Sequence, residues 1–129
     1  MGFPTTEDHL RRAEEAIGLA LPPILRTRLL RENGGEVQAA DDGWELFPVE
    51  DKSDRKRLSR TCNHFLRETA VAREWPDFPP DAIAIARNGT GNYLILRPAL
   101  KAPGTLSDVV LLWDHETGSA TPIDVEWDG

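Results

Sequence analysis

An α+β domain is the fold class this sequence predicts, and three observations predict it. Apolar residues recur at helical spacing through the first third of the chain, and a second helical stripe sits in the middle. From about residue 82 the pattern turns to short apolar runs divided by glycine- and proline-bearing turns. Helices first, then a strand meander with one inserted helix, suit an antiparallel sheet whose helices are segregated from it. The expected architecture is a single domain over residues 1–129. It has a twisted, mainly antiparallel sheet of about six strands, an N-terminal helical hairpin and one inserted helix.

Thr5 or Thr6 can cap a first helix near 6–17, whose opening turn carries Glu7 and Asp8, the sign of charge a helix N-terminus favours. Leu10, Ala13 and Ile17 form its apolar stripe, and Gly18 stops it. Pro22 and Pro23 suit the entry turn of a second helix near 23–33, where a missing N–H has no intrahelical partner to lose. The spacing turns Ile24, Leu25, Leu29 and Leu30 inward and Arg26, Arg28 and Arg31 outward. Asn33-Gly34-Gly35 closes the helix, with Gly34 as its left-handed C-cap. Ser53 or Asp54 can cap a third helix near 54–73, in which Leu58, Cys62, Phe65, Leu66 and Thr69 make one buried stripe. Arg55, Lys56, Arg57 and Arg60 crowd its first turns. No aromatic residues interleave to stack on bases, so this cluster reads as a solvated face rather than a nucleic-acid patch. Trp75-Pro76 and Phe78-Pro79-Pro80 break the helix.

Strands are expected near 36–40, 44–47, 82–87, 93–97, 108–113 and 120–126. Asn88-Gly89-Thr90-Gly91-Asn92 separates two apolar runs. It therefore reads as a hairpin turn and not as a phosphate-cradling loop, which would lead from a strand into a helix. Residues 109–113 are apolar on both faces, as a covered central strand would be. After the turn His115-Glu116-Thr117-Gly118, Ile123, Val125 and Trp127 alternate with Asp124, Glu126 and Asp128, so one face is buried and the other acidic. Leu21, Leu29, Phe47, Phe65, Ile85, Leu94 and Leu111 are the expected core.

A chain of 129 residues with 40% hydrophobic residues can bury a sizeable core. Cys62 is the single cysteine, which excludes an intramolecular disulfide and a cysteine-cluster metal site. No apolar run approaches the ~20 residues of a membrane span, and no basic-then-apolar leader is seen. A cytoplasmic location is the resulting expectation. The net charge is −7, and residues 76–129 hold 3 basic against 8 acidic residues. Such a balance disfavours nucleic acid and anionic membrane as partners and favours a basic protein.

Residues able to do chemistry do not converge. His9, His64 and His115 fall in a first helix, a middle helix and a turn. Asp114-His115-Glu116 joins three ligand types, yet consecutive residues point in different directions and no second cluster completes a metal shell. Cys62 and His64, two apart on a helix, do not face each other. The sequence nominates no catalytic, cofactor-binding or metal-binding residue and predicts no enzyme.

One ordered set of short motifs carries a resemblance. A helix, Leu19-Ala20-Leu21-Pro22, a second helix, Asn33-Gly34-Gly35, Trp44-Glu45-Leu46-Phe47-Pro48, Asn88-Gly89-Thr90-Gly91-Asn92-Tyr93 and Trp113-Asp114-His115-Glu116-Thr117-Gly118 follow in that order. The chain resembles the SUKH superfamily, whose founding branch is the Smi/Knr-type cell-wall assembly regulators of fungi. Ile24 stands where the family often has an aromatic, and Asn92 where an acidic residue is common. Bacterial members commonly serve as immunity proteins that bind and block a cognate toxin, often a nuclease. The resemblance therefore implies a non-enzymatic protein-binding domain, and with the acidic charge it points to a basic toxin domain as partner. A monomer or weak homodimer is the expected state. A cell-wall regulatory scaffold is the second function it implies; apart from the resemblance, a small-ligand binder or hydrolase that no motif reveals is the third reading. A nuclease presents cationic groups to phosphate, so an acidic decoy surface would occlude it. Asp41, Asp42 and Trp44, with Asp124, Glu126, Trp127 and Asp128, are the candidate contact residues.

Overall fold

The computed structural model describes residues 4–127. In chain order the elements are α1 (Glu7–Ile17), α2 (Pro23–Arg31), β1 (Glu36–Ala39), β2 (Asp42–Leu46), α3 (Arg55–Arg60), α4 (Phe65–Ala72), β3 (Ile83–Arg87), β4 (Tyr93–Leu96), β5 (Leu111–Trp113), β6 (Ala120–Pro122) and β7 (Val125–Glu126). The strands form one antiparallel sheet in the order β6-β5-β4-β3-β2-β1-β7. The α+β expectation holds, with seven strands because the segment expected as one strand over 120–126 divides. β6 pairs with β5 at one edge, and β7 pairs with β1 at the other. Only Ile123 and Asp124 separate them, and consecutive Cα atoms are about 3.8 Å apart, so the sheet curls until its two edges approach each other. Ile123 still donates its amide to the Val110 carbonyl (3.0 Å) before the chain crosses to the far edge.

The N-terminal hairpin forms as its capping residues dictate. Thr6 accepts from the His9 amide, Gly18 ends α1 at φ 77°, and Pro23 opens α2. Helix α2 is rotated from the expected orientation, however. Ile24 is exposed and Arg28 is buried beside Leu25 and Leu29. Burial is tolerated because the Arg28 guanidinium donates to the Glu32 carbonyl and to the Trp127 carbonyl (2.8 Å) and faces the Glu32 carboxylate (3.2 Å). The C-cap is Glu32 in extended conformation. Gly34 adopts the expected positive φ (100°) two residues later, in the turn that hands α2 on to β1.

The inserted helix is two helices. Residues 61–64 break it, because Thr61 and His64 bond better outside a continuous helix. The Thr61 hydroxyl accepts from the Asp51 amide (3.0 Å), His64 caps α4 by accepting from the Arg67 amide, and the Phe65 amide reaches the Pro48 carbonyl (3.0 Å). The break shifts the helical phase, so Leu58 and Cys62 are exposed while Phe65 and Thr69 remain buried.

Strands β3 and β4 are buried on both faces at the sheet centre. Helix α4 lies on β3, with the Thr69 hydroxyl accepting from the Ala84 amide (2.9 Å). Leu21, Leu29, Phe47, Phe65, Ile85 and Leu94 are buried as expected. Leu111 is only half-buried. β5 is not central: it begins at Leu111, Val109 before it is exposed, and its outer neighbour β6 is exposed along its length.

Candidate functional site

Antiparallel order places the β1–β2, β3–β4 and β5–β6 turns at the same end of the sheet. Side chains join them into one rim. The Asn88 amide donates to Asp42 Oδ2 (3.0 Å), and Asn92 Oδ1 accepts from the His115 backbone amide (3.1 Å) and lies 2.6 Å from His115 Nδ1. Gly91 is required here, since a Cβ would come within 3.0 Å of the His115 ring.

The acidic residues nominated from opposite halves of the sequence meet at one side of this rim. In the β1–β2 turn, Ala40 and Asp41 both have positive φ (52° and 57°), the geometry of a tight two-residue hairpin without its usual Asn-Gly. Val125 lies opposite Ala39 and Glu126 opposite Gln38, which lays the C-terminal segment along β1. Asp41, Asp42, Asp124 and Glu126 are all exposed. Trp44, nominated with them, is instead buried: it is 1% exposed and its indole N–H donates to the Ala39 carbonyl (3.0 Å), because an inward-facing strand position carries it into the core. Trp127 is half-buried against the core, and Asp128 lies outside the described residues.

The other side of the rim is aromatic. Phe78, Tyr93 and Trp113 meet edge-on or tilted, with centroids 5.1 to 6.2 Å apart, and Trp75 adjoins Trp113 (6.4 Å) and His115 (5.1 Å). Burial raises the Tyr93 hydroxyl above its usual range, against a side-chain hydrogen bond from Trp75. The Glu68 charge adds to the rise, and the Arg87 charge opposes it.

The model of the SMI1 / KNR4 family (SUKH-1) matches residues 4–127. The chain belongs to this family. No curated protein and no solved structure matches it.

The motif residues of this SUKH-1 chain hold the fold. Buried Asn33 accepts from the Val49 amide and donates to the Val49 carbonyl (both 2.9 Å), tying the turn after α2 to the strap before α3. That strap separates two concavities. The larger is an open groove of about 1000 Å³ between α3 and the outer face of β1 and β2. Its wall includes Arg87, which links Glu45 (3.2 Å) to Glu68 (2.9 Å) and lies 5.7 Å from the Phe47 ring centroid. The smaller, about 160 Å³, lies between His9 and His64. Their Nε2 atoms face Asp51 (3.4 Å) and Glu50 (3.6 Å) respectively. Among the described residues, no group of three or more His, Cys, Asp or Glu is placed to hold a metal ion, and no helix is long and apolar enough to cross a membrane.

Asp51 ties the strap down. Burial, the largest single influence, pushes its carboxyl up. The Ser53 hydroxyl and amide, with His9 and Arg57, outweigh burial and hold it below the ordinary 3.8. A depressed carboxyl contributes stability that is fully present above its unfolded value and is lost as pH falls through the folded one. Asp51→Asn is therefore expected to flatten the loss of stability below pH ~4, as read by urea unfolding at successive pH values.

Sequence reasoning missed the Trp75 side of the rim. It read Trp75-Pro76 only as a helix breaker, and the signal that could have found it was a tryptophan followed closely by exposed carboxylates in a turn.

Proposed function

We propose that this chain is a non-enzymatic protein-binding domain, an immunity protein that binds and neutralises a basic toxin domain. The observation that carries this reading is the acidic edge at which Asp41 and Asp42 meet Asp124 and Glu126. The two segments that build it, 36–42 and 123–127, contain no lysine or arginine. Arg28 beneath them is engaged by Glu32 and by backbone carbonyls. A negative edge with no lysine or arginine of its own focuses field outward, speeds encounter with a cationic surface and repels nucleic acid. Membership of the SUKH-1 family supports the reading at the family level.

The test is a pull-down from the native host followed by binding kinetics on the captured partner. A stoichiometric basic partner is expected, with an on-rate that falls as salt screens charges beyond about 8–10 Å. Asp124→Lys with Glu126→Lys should slow association severalfold at low salt and leave the melting temperature almost unchanged, because both side chains are exposed. Trp127→Ala should lower the melting temperature instead, since its ring packs on the core. Salt-independent association, unaltered by the double lysine variant, would place the partner elsewhere. A neutral cell-wall component captured in place of a basic protein would favour the scaffold function.

A further inference from the structure

Among the described residues Trp75 is the only exposed Phe, Tyr or Trp, at 38%. It is not loose. His115 and Trp113 meet it at interplanar angles of 58° and 62°, so neither ring lies flat on the indole and both buttress it at an angle. An exposed aromatic braced by neighbouring rings suits an interface anchor, because little side-chain freedom is lost when a partner covers it.

The groups around it are acidic. Glu74, Asp77 and Glu116 are exposed, and Asp114 is half-buried. Asp77 belongs to the segment after α4 and Glu116 to the β5–β6 turn, and the two segments touch. A Cβ at Gly118 would lie 2.8 Å from Asp77 Cβ and 3.2 Å from its Oδ2. Asp77 is held there in a left-handed conformation (φ 66°) that non-glycine residues rarely adopt. The nearest cation in sequence, Arg73, donates to the Ala82 carbonyl (3.5 Å), and Arg97 is engaged by Asp81.

We infer that Trp75, Asp77 and Glu116 form an anchor site for an arginine side chain of the basic partner. A planar guanidinium stacks on an indole face while its N–H groups donate in plane to carboxylates. A lysine ammonium is compact and strongly hydrated and fits such a site less well. The inference rests on the basic-partner reading and deepens it. The site shares the rim with the acidic edge through the Asn88–Asp42 and Asn92–His115 bonds, so one protein partner can cover both.

The test is a titration of the ¹⁵N-labelled protein with hexa-arginine, hexa-lysine and hexaglutamate peptides, following the Trp75 indole N–H and the 114–118 amides. Hexa-arginine should shift these signals saturably and bind at least about threefold tighter than hexa-lysine, and hexaglutamate should shift nothing. Asp77→Asn with Glu116→Gln, both at exposed positions, should weaken hexa-arginine binding about tenfold, whereas Asp124→Lys with Glu126→Lys should leave the Trp75 shift in place. Trp75→Phe, which keeps an aromatic and the fold, should weaken binding less than the double carboxamide variant does. Equal affinity for the two cationic peptides, or no effect of the carboxamide pair, overturns the arginine site. Shifts confined to residues 41–42 and 124–126 overturn it as well, while the basic-partner reading stands. No shift from either cationic peptide counts against both.

Discussion

Trp44→Ala is expected to destabilise the free protein by about 3–5 kcal/mol, the range seen when a large buried aromatic is truncated. Its side chain is among the largest fully buried ones, at 1% exposure, and stands opposite Val37 in the β1–β2 ladder. Truncation would remove the ring from the core and leave the Ala39 carbonyl without its indole donor, just before the strained Ala40–Asp41 turn. For a chain of this size the melting temperature should fall by more than about 8 °C. Thermal unfolding of the purified variant checks this. A variant that melts normally yet loses its partner would return Trp44 to the contact surface.

Arg28→Ala should cost about 2–4 kcal/mol, unusually large for an arginine on a helix, because this one is 3% exposed and its bonds are charge-assisted. Two carbonyls and the Glu32 carboxylate lose a donor together. The bond to Trp127 fastens the C-terminal segment to α2, so the loss should appear first in β7. Amide exchange at Val125 and Glu126 should quicken by more than the global destabilisation accounts for. Arg28→Lys should recover only part of the loss, since an ammonium cannot span the same fork of acceptors. Uniform exchange across the sheet would show that Arg28 stabilises the whole fold rather than the edge strand. That result would separate the acidic edge from α2.

Much of the fold was legible because its signals are local. Thr6, Gly18, Pro23 and Asp54 act within one helical turn, and the apolar runs around Asn88-Gly89 imply a hairpin wherever they occur. The single long helix over 54–73 was misread because an apolar stripe continues through 61–64, while the bonds that break it run to Pro48 and Asp51. Arg28 was misread for the same reason. Helical spacing says which residues share a face, but not that a face will find three acceptors waiting. The strand expected over 120–126 alternates from Ile123 onward, and nothing in its pattern says that its two ends serve opposite edges.

By itself, then, the sequence determined the α+β class, the helical hairpin, the hairpin at Asn88-Gly89 and most of the core, along with the motif order of the SUKH-1 family. These follow from periodicity, capping and turn chemistry, which act over a few residues. Only the tertiary structure decided that the sheet curls, that β7 joins β1, and that Asp41, Asp42, Asp124 and Glu126 share an edge with Trp75 farther along the same rim. Those outcomes depend on strand partners distant in sequence. A chain meets such partners only after its local elements have formed and the buried surface of the sheet has selected one register over the others.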